Sequence, residues 1–192
     1  MKRMMTLFAL IMSLTVSAQD DGMDSVYQMV LEKGVYEQKR VVTVDNATAA
    51  TLYVRAMEAL SDWTGSDGKS KAGLDFCDKD AGIVTYKGDF YNGYRKNPTG
   101  DIPIYTDFTL KVRCKDGKAQ VTVSVPSLHY TFQGRLVTVG VKESVEQRMK
   151  MTEKDKAKAE KTMVRVITMR EIVDTLLDAM SNALQKADDD DF

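Results

Sequence analysis

Between Pro103 and Val125 the chain alternates apolar and polar residues in two runs, interrupted only by Lys115-Asp116-Gly117-Lys118. In the first run Ile104, Phe108, Leu110 and Val112 fall on one side, with Tyr105, Asp107, Lys111 and Arg113 on the other. In the second, Val121, Val123 and Val125 oppose Gln120, Thr122 and Ser124. Side chains of a strand alternate with period two, and Asp-Gly supplies the positive φ that a tight hairpin needs. The pattern therefore predicts a hairpin with one oily and one wet face. Such a sheet folds only if something roofs its oily side.

The roof is visible in two helical patterns. Asp45 or Asn46 is expected to cap a helix in which Leu52, Tyr53, Ala56, Leu60 and Trp63 share a face. Near the C-terminus, residues 163–186 carry Val166, Met169, Val173, Leu176, Leu177, Met180 and Leu184 at helical spacing. Further strands are expected over Val35–Val44, Gly73–Asp78 and Ala81–Phe90, with an extended piece over Leu128–Phe132. The order is strand, helix, four strands, helix, which predicts a two-layer α+β sandwich over residues 34–140, with the C-terminal helix added to the roof. Residues 19–33 form an N-terminal extension, acidic and then briefly helical, ending at Lys33-Gly34. TGSDGKSK at 64–71 is a loop by composition. Residues 141–162 include the charged run EKDKAKAEK, a solvated helix or a linker, and ADDDDF at 187–192 is an acidic tail whose like charges favour an unstructured state.

The first 18 residues are read as a signal peptide. Lys2 and Arg3 precede an apolar stretch from Met4 to Val16, and Val16-Ser17-Ala18 supplies a small-x-small cleavage pattern before Gln19. The apolar run is shorter than the roughly 20 residues a membrane-crossing helix requires. The mature chain is expected to be exported to the periplasm, cell surface or medium, with no membrane span. The whole chain has 27 basic and 28 acidic residues; without Lys2 and Arg3 the balance becomes about −3. An acidic chain is a poor partner for nucleic acid, whose phosphates demand a basic surface.

Catalytic chemistry has little to use. His129 is the only histidine, and no G-x-S-x-G elbow accompanies it, so a hydrolase using His129 is the weaker alternative. One histidine and two distant cysteines lack zinc spacing, Asp78-Lys79-Asp80-Ala81-Gly82 lacks the remaining ligands of a calcium loop, and no phosphate cradle is present. Neither metal nor cofactor is expected. The stretch DFYNGYRKNPTGDIPIY, 89–105, reads as a long loop between strands. Tyr91, Tyr94, Arg95 and Tyr105 offer rings and a cation there, and Lys111 and Arg113 lie on the wet sheet face beyond it. These six are the candidate ligand contacts. The expected function is a non-enzymatic binding module for a small ligand or an envelope partner. An envelope assembly protein pairing through its C-terminal helix is the alternative.

The segments GVYEQKRVVTVDNATAATLYVRAMEAL, DKDAGIVTYKG and DFTLKVRCKDGKAQVTV together resemble an exported Bacteroides-type family of unknown function with a TATA-binding-protein-like fold. The resemblance spans roughly Gly34 to Phe132. It implies a five-stranded, mainly antiparallel curved sheet in the order 1-5-4-3-2 with helices on one face, and no catalytic residues. In that order Cys77 and Cys114 sit on strands two and four. Strand three then separates them by about 10 Å, beyond disulfide reach. Strict alternation also places Cys77 on the face of Asp75 and Cys114 on the apolar face, so both are expected to be free thiols. DNA bending does not follow from the fold, since a DNA-binding saddle needs two such halves and apolar wedges.

Overall fold

The Asp116-Gly117 hairpin is the centre of the sheet. In the computed structural model, which describes residues 25–64, 73–98, 100–150 and 153–186 (without the side chains of 64, 148 and 153–168), it joins β4 (Ile102–Lys115) to β5 (Lys118–Phe132). The signal peptide expected at 1–18, residues 19–24, most of the 64–71 loop and the acidic tail at 187–192 lie outside the described residues. Around the hairpin come β1 (Tyr36–Thr43), β2 (Gly73–Asp78), β3 (Ile83–Arg95) and β6 (Arg135–Gly140). All pair antiparallel in the order β1-β5-β4-β3-β2, with β6 also on β5. The helices among the described residues are α1 (25–33), α2 (Ala49–Thr64), α3 (Val141–Met149) and α4 (Glu153–Gln185).

The expected order 1-5-4-3-2 holds, and the sheet has six strands where five were expected. β5 is long enough to hold two neighbours on one edge. Its first half pairs with β1 as far as Val125, and from Ser127 onward it pairs with β6. Pro126 falls at the changeover, where its missing N–H costs the ladder nothing. A two-residue turn at Gln133-Gly134, with φ of 50° and 75°, folds β6 back onto β5.

The roof stands where the periodicity requires. Leu52, Tyr53, Ala56 and Leu60 of α2 join Met169, Val173, Leu177, Met180 and Leu184 of α4 over Leu110, Val112, Val121, Val123 and Val125. Fully burying an aliphatic side chain of this kind contributes about 1.5–3 kcal/mol, so this layer dominates the stability. Arg55 Nη1 donates to the Leu184 carbonyl at 2.9 Å and ties the two helices together. Val26 and Val30 of α1 enter the same core, so residues 25–33 belong to the folded unit. Gly34, at φ 78°, ends α1 by donating its N–H to the Val30 carbonyl at 2.8 Å.

The cap of α2 is not Asp45 or Asn46. Thr48 Oγ1 accepts from Thr51 N at 3.1 Å, and Asp116 Oδ1, from the β4–β5 turn, accepts from Ala49 N at 2.8 Å. The charged run and the C-terminal amphipathic segment form one 33-residue helix, α4.

Three bulges break the alternation and decide which side chains reach the open face. In β2 the register shifts between Leu74 and Phe76, so Cys77 opposes Val84 on the helix side and its sulfur lies 3.7 Å from Met57 Sδ. This corrects the expectation that Cys77 shares a face with Asp75. Both cysteines are free; Cys114 is buried and Cys77 exposed, with β3 lying between their strands. In β3, Asn92 and Gly93 stand against a single β4 residue, with Gly93 at φ 94°. In β5, Val125 and Pro126 stand against Phe108.

Candidate functional site

Residues 89–105 are not a loop. β3 and β4 run on as a paired ladder as far as Arg95 and Ile102, leaving only residues 96–101 as the connection. Phe90, Tyr91, Tyr94 and Tyr105 are strong strand formers, and the ladder satisfies their backbone groups. The distal parts of β3, β4 and β5, together with β6, form a wing of the sheet.

The bulges set the open side of this wing. By simple alternation Tyr91 and Tyr94 would point to opposite faces; the extra residue at Asn92-Gly93 brings both beside Tyr105 and Pro103. Likewise His129 would fall in phase with buried Val121, Val123 and Val125. The bulge at Pro126 turns it outward with Ser127, and Leu128 and Tyr130 inward. Two adjacent rungs result. One aligns Tyr91, Tyr105, His129 and Thr138, and the other Asp89, Asp107, Ser127 and Gly140.

These rungs hold a connected polar cluster. His129 Nδ1 lies 2.8 Å from Asp107 Oδ1, and His129 Nε2 lies 3.5 Å from Asp89 Oδ2. Ser127 Oγ donates to Asp107 Oδ2 at 2.5 Å. The Tyr105 ring stacks on the imidazole, with centroids 5.4 Å apart and planes 15° from parallel, and Tyr91 meets Tyr105 edge-on at 6.0 Å. The side chains of His129 and Asp89 are only 18% and 15% exposed, so this is a partly dehydrated site, whereas Tyr91 and Tyr94 stand about half exposed. Asp89 and Asp107 are direct cross-strand partners, a placement that sheets disfavour for like charges.

The six candidate contacts divide. Tyr91, Tyr94 and Tyr105 gather on the wing, although Tyr105 is engaged by His129 and Tyr91 and so is no free stacking platform. Lys111 and Arg113 share the open face but lie four and six residues from Asp107, roughly 13–20 Å away at strand rise, opposite Thr122 and Gln120. Arg95 pairs with Ile102, whose side chain is buried, and so leaves the group. Asp89, Asp107 and Ser127 were missed as site residues. Asp89 and Asp107 keep the plain alternation of Thr85 and Lys87 and of Lys111, and only Ser127 depends on a bulge, the one that Pro126 marks.

A serine-protease-like relay is not formed. Ser127 bonds to the carboxylate and not to histidine, and the nitrogen that would accept a nucleophile's proton faces Asp89. Among the described residues no group of three or more His, Cys, Asp or Glu side chains could hold a metal ion. Among them, too, no helix is long and apolar enough to cross a membrane. Burial pushes the Cys114 thiol up to about 11, so it is an unreactive core group.

No protein-family model and no curated protein matches the chain. Solved structures do. A DUF4468 family protein from Bacteroides ovatus superposes with a TM-score of 0.56 at 12% identity, covering 81% of this chain and 90% of that one. A TBP-like protein from Parabacteroides distasonis gives 0.51 at 15% identity, covering 81% and 96%. At such identities the likeness lies in the fold and carries no activity. The chain therefore has the TATA-binding-protein-like α+β fold of these Bacteroides-type domains of unknown function, with a sixth strand completing its wing.

Proposed function

We propose that the protein is an exported, non-enzymatic binding domain that holds a small ligand or an envelope partner on the open face of its wing. The observation that carries this reading is the union of Tyr91 and Tyr94 with the Tyr105–His129–Asp107–Asp89 cluster on the face the helices leave uncovered. Half-exposed tyrosines bring large contact area at low conformational-entropy cost, and partly buried carboxylates bring directional hydrogen bonding. Local choices that break sheet-pairing rules, such as Asp89 opposite Asp107, occur where a site is held at the expense of stability. Export is supported by Lys2, Arg3 and the Val16-Ser17-Ala18 pattern, and the acidic balance argues against a nucleic-acid partner. Assembly through the C-terminal helix is disfavoured, because Met169, Val173, Leu177, Met180 and Leu184 are already buried against the sheet.

The test is affinity capture from envelope extracts with the wild-type protein and a Tyr91→Ala/Tyr94→Ala variant. Both rings are exposed, so the melting temperature is expected to stay within about 1–2 °C while capture is lost. Capture that survives the double substitution overturns the reading.

A further inference from the structure

The His129 ring touches side chains from two neighbouring strands at once, Asp107 and Tyr105 on β4 and Asp89 on β3. From its geometry we infer that His129 is a proton-operated clasp: with two protons on its ring it fastens β3, β4 and β5 of the wing together, and with one it lets go of one strand. This goes beyond the proposed function, since it does not require that the face bind anything.

A neutral imidazole has one N–H and one lone pair, whereas the imidazolium has two N–H groups. Both His129 nitrogens face carboxylate oxygens, Asp107 on β4 and Asp89 on β3. With a single proton, one of these contacts sets a lone pair against an anion. With two, both become charge-assisted hydrogen bonds, the stronger class. The imidazolium also supplies the positive charge that the Asp89–Asp107 rung otherwise lacks. Lys87, one rung away on β3, is paired with Asp75 at 3.0 Å. The remaining neighbours do not compete for the proton. β5 offers Ser127, which is bonded to Asp107, β4 adds Tyr105, and β6 places Thr138 opposite His129. Histidine is the side chain whose charge ordinarily changes between about pH 5 and 8.

The experiment is amide hydrogen exchange on the full protein at about pH 5.5 and about pH 8, expressed as protection relative to intrinsic rates. Ladder amides of the wing, residues 104–107 and 127–132, are expected to gain about tenfold in protection on the acid side, relative to the core amides of Leu110 and Val123. His129→Gln should abolish that difference. Should that variant fold poorly, Asp89→Asn serves instead. Its amide can donate to Nε2 of the neutral ring, so wing protection becomes flat with pH while the fold persists. Nitrogen chemical shifts of the imidazole count its protons directly. Wing protection that does not change with pH in the wild type, or changes equally in Asp89→Asn, refutes the clasp.

Discussion

Gly82 gives the sharpest quantitative test of the packing between the β2–β3 turn and the central hairpin. The turn is shaped by Asp78, whose Oδ1 accepts from Ala81 N at 2.9 Å, and it ends at Gly82 with φ 64°. The Gly82 carbonyl then accepts from Cys114 N at 2.8 Å, fixing the turn to the end of β4. An alanine here carries two penalties. The left-handed conformation costs about 1 kcal/mol. The new Cβ would also stand 2.7 Å from the Cys114 carbonyl oxygen, a backbone atom that cannot swing aside. Overpacking of this kind costs about 1–3 kcal/mol, for a total of about 3 kcal/mol. Gly134 is the matched control: φ is 75°, but nothing lies within 4 Å of an added Cβ, so Gly134→Ala should cost only the conformational term. In urea unfolding, with m about 2 kcal/mol/M, Gly82→Ala should lower the midpoint by roughly 1.5 M and Gly134→Ala by roughly 0.5 M. Equal midpoints for the two variants would show that the turn is not held against Cys114.

Two further predictions concern the same hairpin. Asp116→Ala removes a long-range cap from Ala49 and should cost about 1 kcal/mol by urea unfolding, with the sheet spectrum unchanged. Cys114 predicts a base-side loss of stability: its thiol ionises at 9.0 in an unreactive reference and is pushed up to about 11 by burial. Between those values the folded protein keeps a proton that the unfolded chain has released. The contribution is therefore complete below pH 9 and falls by about 1.4 kcal/mol per pH unit as pH rises toward 11. Comparison with Cys114→Ala isolates the slope; parallel curves for the two proteins would contradict it.

Much of the roofed half of the molecule was legible because its signals are local. Asp116-Gly117 announced its hairpin, Leu52 to Leu60 and Val173 to Leu184 announced their helices, and the alternation of β4 named its own inner face. The wing was not, because its faces depend on single-residue insertions. A bulge leaves composition and hydropathy unchanged yet inverts every side chain beyond it, as at Asn92-Gly93, Pro126 and Asp75. β6 went unseen although Gln133-Gly134 stands between two β-rich runs, since the strand is only six residues long and exposed Leu136 blurs the alternation that Val137 and Val139 begin. The cap from Asp116 to Ala49 joins residues 67 positions apart, and nothing local encodes it.

The placement of the carboxylates bears on why this wing exists. Neighbouring rungs of the same face are built from uncharged or singly charged neighbours, Thr85–Lys111–Thr122 and Lys87–Thr109–Ser124. Either pattern extended by one rung would pair strands without repulsion. Asp89 opposite Asp107 instead sets two anions side by side, and costs on the order of 0.2–1 kcal/mol unless a cation lies between them. His129 supplies that cation only when doubly protonated, and it reaches the open face only because a proline-marked bulge reverses β5. Ser127 and Tyr105 then hold the carboxylate and the ring in place. A strand pair selected for stability alone would need neither the bulge nor the second aspartate. Their presence together sets this part of the sheet apart from the neighbouring rungs of the same face.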